Sequence, residues 1–126
     1  MPSLFDNSLL SKSLFSNPNL DKMFENFDKI FVNQLENYAN SGDLLCAFSC
    51  SGNSKNILNA INYAKKIKCK TVLLTGFNKK KIKGVDVHLN IGIKNYGISE
   101  DIFQSIMHMI SQYLRKKYSK NNLEIF

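Results

Sequence analysis

Apolar residues recur every three or four positions between Leu20 and Tyr38, with polar and charged side chains between them. This spacing predicts an amphipathic helix. Asn40-Ser41-Gly42 follows the pattern. A glycine there predicts the end of the helix, because glycine readily adopts the left-handed conformation that closes many helices.

Two continuous apolar runs follow, Leu44–Phe48 and Thr71–Thr75. Runs of this kind are typical of strands that are buried on both faces. Between them lies one apolar helical stripe, formed by Ile57, Ala60, Ile61, Ala64 and Ile67. The order strand, helix, strand predicts a βαβ unit with parallel strands and a right-handed crossover.

The segment Val85–Ile91 alternates apolar and polar residues, which predicts an edge strand with one face in water. His88 falls on the polar side of this strand, so we expect it at the surface. A last helix is predicted from about Ser99 to Tyr118, with Glu100 and Asp101 in its first turn, where acidic groups complement the helix dipole. Its apolar set is wider than one packing face requires, and this predicts a homo-oligomer, a dimer or a tetramer.

These elements and a length of 126 residues predict a single α/β domain that spans the whole chain. No apolar run approaches the roughly 18 residues that a membrane span needs, and the N-terminus lacks the pattern of a signal peptide. Three cysteines match neither a closed disulfide framework nor the paired spacing of structural zinc sites. We therefore expect a cytoplasmic protein with no membrane partner.

The formal net charge is +7, which raises the question of nucleic-acid binding. The lysines are scattered, and only Lys79-Lys80-Lys81 forms a run. No basic stripe interleaved with aromatic residues is present, although proteins that bind single strands rely on one. Solvated lysine faces account for the charge, and we expect no nucleic-acid partner.

The candidate chemistry lies in Ser49-Cys50-Ser51-Gly52-Asn53-Ser54, which we call the serine loop and which joins the first buried strand to the following helix. A helix N-terminus attracts anions through its unpaired N–H groups and its partial positive charge. Gly52 allows close approach of the backbone, and the serine hydroxyls donate hydrogen bonds. The loop therefore fits a phosphate site. An alternative on the same residues is that Ser54 only caps the helix and the rest is a turn.

From Gly42 to Gly76 the sequence reads GDLLCAFSCSGNSKNILNAINYAKKIKCKTVLLTG. This segment resembles the central part of sugar isomerase (SIS) domains, above all the phosphoheptose isomerase branch. The resemblance implies a three-layer sandwich around a parallel sheet of the flavodoxin-like type. It also implies a phosphorylated sugar as ligand, held by Ser49, Ser51, Gly52, Asn53 and Ser54. Leu4–Ser8 resembles the end of the family's second strand, which adds Asp6 and Asn7 to the expected binding residues.

His108 shares the polar stripe of the last helix with Asp101, Gln104, Ser111 and Arg115. On this pattern alone, the histidine is either solvated or directed at a wet cleft. The resemblance aligns His108 with the family's catalytic histidine and implies a role in proton transfer, for which a pKa near neutrality is suited.

The chain departs from the family at its N-terminus, where the resemblance implies that about the first third is absent. That part carries the family's first strand, its glycine-rich loop and its catalytic glutamate. We therefore expect a partial SIS domain with an incomplete sheet, and two functions stay open. One is isomerisation of sedoheptulose 7-phosphate to a heptose phosphate for surface polysaccharide synthesis. The other is a non-catalytic phosphosugar-binding or interaction module, or a degenerate remnant.

Metal-bearing relatives keep a ligand residue near the position of Glu100, so the resemblance allows a zinc ion. A lone carboxylate at the start of a helix is better explained by the helix dipole. No other residue pattern supports a metal, and we expect no cofactor.

Overall fold

A computed structural model of the chain describes residues 26–119. In chain order the elements are α1 (Ile30–Tyr38), β1 (Leu44–Ser49), α2 (Lys55–Lys66), β2 (Lys70–Thr75), β3 (Val87–Asn90) and α3 (Tyr96–Tyr118). All were anticipated by the sequence, within a few residues at their ends. The first part of the helix predicted from Leu20, and the strand end predicted at Leu4 and Phe5, lie outside the described residues.

The described strands form one parallel sheet in the order β1-β2-β3. Ser49 at the end of β1 lies opposite Thr75 at the end of β2. Thr75 in turn lies opposite Asn90 at the end of β3. This register brings the segments that follow all three strands to the same edge of the sheet, where open α/β sheets bind their ligands.

Helices cover the two faces of the sheet. On one face, Ile61 of α2 packs against Ala47 and Leu73. On the other face, Phe103 of α3 packs against Cys50 and Leu74. Alternate residues of each strand point to opposite faces, so the continuous apolar runs are used on both sides. The three-layer α/β sandwich predicted from the sequence is confirmed.

The polar and apolar faces of β3 are reversed from the prediction. Val87 and Leu89 are 57% and 46% exposed, whereas His88 and Asn90 are half-buried. His88 Nε2 lies 2.8 Å from the hydroxyl of the fully buried Thr75. The expectation of a surface His88 was therefore wrong. The alternation located the strand, but buried polar partners decided which face turns inward.

The last helix begins at Tyr96, nearly one turn earlier than predicted. Glu100 and Asp101 therefore lie beyond its first turn, which contains no acidic residue. The predicted dipole role for these two carboxylates was wrong, because that effect falls off within the first turn. The basic residues Arg115, Lys116 and Lys117 do occupy the last turn, as predicted.

Helix α3 is much longer than the sheet it covers. Its 23 residues span about 34 Å, at 1.5 Å per residue. The six residues of β1 span only about 20 Å. The C-terminal half of α3 has no buried residue in the described part of the chain, although it carries several large apolar side chains. No helix within residues 26–119 combines the length and the apolarity that a bilayer crossing requires.

The two long helices start in different ways. Asn95, the N-cap of α3, accepts a hydrogen bond from the backbone N–H of Ile98 at 3.1 Å. Ser54, the N-cap of α2, makes no side-chain bond to the backbone of its helix. Its hydroxyl instead lies 3.4 Å from that of Ser49. The sequence alternative in which Ser54 serves only as a cap thus lacks its hydrogen bond.

This difference predicts unequal effects of two alanine substitutions. Asn95→Ala removes a formed cap and should lower the free energy of unfolding by about 1 kcal/mol. Ser54→Ala removes no cap and should change it by less than about 0.5 kcal/mol. Urea unfolding followed by circular dichroism measures both. Equal losses in the two variants would show that Ser54 caps α2 in solution.

Candidate functional site

The serine loop joins the carboxyl end of β1 to the N-terminus of α2. Ser49 is the last residue of β1, and Ser54 is the residue just before the first turn of α2. The chain turns sharply at Gly52, whose φ of 68° lies in the left-handed region that favours glycine. The first turn of α2 therefore lies beside the loop hydroxyls; its Ile57 N–H donates to Asn56 Oδ1 at 2.8 Å, while those of Lys55 and Asn56 remain available.

The three serine hydroxyls are used differently. Ser49 is 5% exposed and accepts the Gly52 N–H at 3.0 Å, while its own proton is directed to the Ser54 oxygen at 3.4 Å. Ser51 accepts the Asn53 N–H at 3.3 Å. Because Ser51 and Ser54 act as acceptors in these contacts, both keep a hydroxyl proton to donate to a ligand. Ser49 orients the loop from inside.

The electrostatics of this turn favour an anion. The N-terminus of α2 carries the positive end of its dipole, and the first turn contains no acidic residue to neutralise it. Lys55 opens the helix, is exposed and forms an ion pair with Asp28 at 3.6 Å. Half-buried Ser51 and Ser54 and exposed Asn53 surround the same turn. The arrangement provides hydroxyl donors, an exposed amide side chain and unpaired backbone N–H groups, all of which suit phosphate oxygens.

Two other segments close around the back of the loop. The N–H groups of Gly76 and Phe77 both donate to the carbonyl oxygen of Cys50, at 3.0 and 3.1 Å. Gly76 also lies against Ser99 of α3, because a Cβ at Gly76 would fall 2.5 Å from the Ser99 oxygen. The Thr75-Gly76 pair was recognised in the sequence only as a strand end. Its role as a wall of the loop depends on the register of β1 and β2.

Cys50 lies within the loop but is not suited to act as a nucleophile. Burial raises the pKa of its thiol, and the negative charge of Glu100 raises it further. A thiol whose pKa is raised remains protonated at neutral pH, and the neutral form is a poor nucleophile. Cys50 instead packs with Leu74 and Phe103 beneath the loop.

His108 is far from the serine loop of its own chain. Helix α3 runs antiparallel to β1, since Tyr96 O lies 3.9 Å from Cys50 Sγ and Met107 Sδ lies 3.9 Å from Cys46 Sγ. His108 is twelve residues beyond Tyr96, which corresponds to about 18 Å along the helix axis. Its side chain is exposed. The other two predicted binding residues, Asp6 and Asn7, lie outside the described part of the chain.

A second concave feature lies at the opposite end of the sheet. It is a pocket of about 260 Å³ near the start of β2, lined by Lys65, Lys68, Lys70, Asp86 and their neighbours. The Asp86 carboxylate accepts the Thr71 N–H there at 2.8 Å, and this bond lowers the pKa of Asp86. Within residues 26–119, no three His, Cys, Asp or Glu side chains come together in a way that could hold a metal ion.

Comparison with known proteins places these features in a family. The family model of the SIS domain matches residues 4–76, which is more than half of the chain and includes the serine loop. A probable phosphoheptose isomerase from Thermoplasma acidophilum is 36% identical over 93 residues. A phosphoheptose isomerase from Buchnera aphidicola is 39% identical over 98 residues. These matches cover 73% and 75% of this chain, and 51% and 50% of the two relatives.

Solved structures agree with the sequence matches. Phosphoheptose isomerase GmhA from Neisseria gonorrhoeae superposes with a TM-score of 0.58 at 32% identity, over 68% of this chain and 50% of that one. A phosphoheptose isomerase from Francisella tularensis gives 0.57 at 27% identity, over 67% and 46% of the two chains. The chain thus spans about half the length of the relatives it matches. On the strength of the family model and the shared fold, the chain belongs to the SIS domain family.

Proposed function

We propose that this protein binds the phosphate of a phosphorylated sugar at the serine loop and takes part in its isomerisation, as in the phosphoheptose isomerases it resembles. The observation that carries the proposal is the N-terminus of α2, which lacks a cap bond from Ser54, beside the Ser51 and Ser54 hydroxyls. A phosphate dianion at this point would be held by hydroxyl protons, backbone N–H groups and the helix dipole together. The substrate pair we propose is sedoheptulose 7-phosphate and a heptose phosphate, used in surface polysaccharide synthesis.

The proposed reaction moves a carbonyl group between neighbouring carbons. A base removes the proton from the carbon beside the carbonyl, which gives an enediol. Return of a proton to the former carbonyl carbon, with a matching proton shift between the two oxygens, completes the exchange. No oxidant, reductant or metal is required for the balance. We assign the carbon proton transfer to His108, because an imidazole can both accept and donate a proton.

The position of His108 requires a second copy of the chain for this role. About 18 Å of helix separates His108 from the end of α3 that lies beside the serine loop. A proton-transfer group must come within hydrogen-bond reach of its substrate, or within reach of one bridging water. We therefore propose that His108 of one copy serves the serine loop of another.

The exposed apolar side chains of α3 support such an assembly. Met109, Tyr113 and Tyr118 are 60%, 61% and 70% exposed, and Ile110 and Leu114 lie between them. Contiguous exposed apolar surface of this kind marks interaction sites. We propose that a second copy covers it in a homo-oligomer. The same packing would bring the His108 helix next to another subunit.

We also propose a cytoplasmic location. Cys46, Cys50 and Cys69 are all free thiols in the described structure. Free cysteines are common in reducing compartments, where disulfides rarely persist. The intracellular sugar phosphates proposed as substrates fit the same compartment.

Ligand binding is tested by thermal unfolding with sedoheptulose 7-phosphate. A ligand at 100 times its Kd should stabilise the native protein by about 2.7 kcal/mol and raise its Tm. Ser51→Ala should weaken binding by about tenfold or more, because a hydrogen bond to a charged group contributes about 1.5–3 kcal/mol. Ser105→Ala is the matched control, since its hydroxyl only donates to Asp101 O at 3.1 Å on α3. An unmoved Tm in the unsubstituted protein would refute phosphosugar binding.

Turnover is tested with the same sugar phosphate. His108→Gln should lower kcat by about 100-fold or more, the usual contribution of a general acid–base group. The control is Gln104→Ala, an exposed position one turn earlier on α3. Mixing His108→Gln chains with Ser51→Ala chains should restore activity, because one site per mixed pair then has both groups intact. Binding without any turnover would favour the non-catalytic SIS module.

Assembly is tested by sedimentation at micromolar concentration. The unsubstituted chain should sediment as a dimer or larger. Ile110→Glu places a charge in the proposed interface and should shift the protein to monomer, because an unpaired charge is costly to bury. Asn62→Glu, on the exposed face of α2, should leave the oligomer intact. A monomer in the unsubstituted protein would exclude both the interface and catalysis by His108 across it.

A further inference from the structure

The loop that follows β2 donates hydrogen bonds to two backbone carbonyl oxygens of the serine loop. Gly76 and Phe77 donate to the Cys50 carbonyl, and the side-chain amide of Asn78 donates from Nδ2 to the Ser51 carbonyl at 2.9 Å. Two consecutive carbonyl oxygens of the serine loop therefore have donors. Neither presents an unpaired negative dipole to an anion bound in front of the loop.

Asn78 fixes one particular peptide unit, the one between Ser51 and Gly52. Its carbonyl end is held by Asn78, and its N–H end donates to Ser49 Oγ at 3.0 Å. A planar peptide that is held at both ends cannot rotate freely. The contact is also close, since a Cβ at Gly52 would fall 2.6 Å from Asn78 Nδ2. Gly52 thus permits both the left-handed turn and the approach of Asn78.

A polar cluster around the buried Thr75 holds Asn78 in its turn. Asn90 Oδ1 accepts the Asn78 N–H at 2.9 Å, and this bond settles which way the Asn90 amide faces. The Thr75 hydroxyl lies 2.9 Å from both Asn90 Oδ1 and Asn78 O, each of which can only accept. The single Thr75 proton is therefore directed to these oxygens, and Thr75 Oγ1 can accept from His88 Nε2 at 2.8 Å. These connected bonds tie Asn78 to the ends of β2 and β3 and so support it from the sheet.

We propose that Asn78 is a positioning residue for ligand binding: it orients the Ser51–Gly52 peptide so that Ser51 and the N-terminus of α2 face the phosphate. The cluster of Thr75, His88 and Asn90 restrains Asn78 by hydrogen bonds to the edge of the sheet. This inference rests on the proposed phosphosugar function for its ligand. The positioning itself can be observed without any ligand.

The ligand-free experiment measures hydrogen exchange at the Gly52 amide by NMR. Asn78→Ala should speed this exchange by about tenfold or more, relative to amides in the middle of α2, because one end of the peptide is released. Asn78→Asp should act similarly, since the carboxylate still accepts the Lys80 N–H but cannot donate to Ser51. If only the alanine variant changes the exchange, the Lys80 contact is responsible and the proposal is wrong.

Asn59→Ala is the matched control. Asn59 Nδ2 also donates to a backbone carbonyl, that of Asp28, at 3.1 Å and with partial burial. The Asn59→Ala variant should lower the Tm about as much as Asn78→Ala does, but leave the hydrogen exchange of the Gly52 amide unchanged. Equal effects of Asn59→Ala and Asn78→Ala on Gly52 exchange would show that Asn78 contributes only to overall stability, and would overturn the proposal.

The ligand experiment titrates each protein with inorganic phosphate and follows the amide signals of the serine loop. Asn78→Ala should raise the Kd by about tenfold, equivalent to about 1.4 kcal/mol, while Asn59→Ala leaves it unchanged. An unchanged Kd in Asn78→Ala would contradict a role in ligand binding. If the unsubstituted protein shows no phosphate response, the proposed function fails, and the Gly52 exchange still decides whether Asn78 orients the loop.

Discussion

Parallel pairing of β1 with β2 is the constraint on which the site depends. With Ser49 opposite Thr75, the two segments that leave the sheet must emerge side by side. The backbone of one can then donate to the carbonyls of the other, as Gly76 and Phe77 do to Cys50. A shift of register by one residue would also move every side chain to the opposite face and exchange the two apolar clusters. The fold and the candidate site therefore have the same origin.

The serine loop contains polar groups that are bonded within the protein and polar groups that remain available to a ligand. Those used internally, such as the Ser49 hydroxyl and the Cys50 and Ser51 carbonyls, are satisfied by neighbouring backbone or by Asn78. The groups left over include the Ser51 and Ser54 hydroxyl protons and N–H groups of the first turn of α2, which are donors. A turn that satisfies these acceptors internally and leaves such donors available is suited to an anion, independently of any family resemblance.

Phosphate binding and proton transfer make different demands on the structure. The turn proposed to hold phosphate lies within residues 49–54, because a strand end and a helix N-terminus are enough to form it. Proton transfer requires groups gathered from several elements, and His108 lies about 18 Å along α3 from the end beside this turn. Local structure therefore supplies the donors that a phosphate site needs, whereas the proposed chemistry at the sugar would need a second copy of the chain.

The sequence by itself determined the helices, the strands and the location of the serine loop. The spacing of apolar residues and the positions of glycines are local properties, and they do not depend on tertiary contacts. It identified the strands β1 and β2, the helix between them and the turn at Gly52 to within a residue or two. The tertiary structure alone decided which groups meet. The alternation in β3 could not reveal that His88 turns toward Thr75, and no local signal marked Asn78 as the neighbour of Gly52. Both contacts join residues that are far apart along the chain, so they follow from strand register and packing and not from local preference.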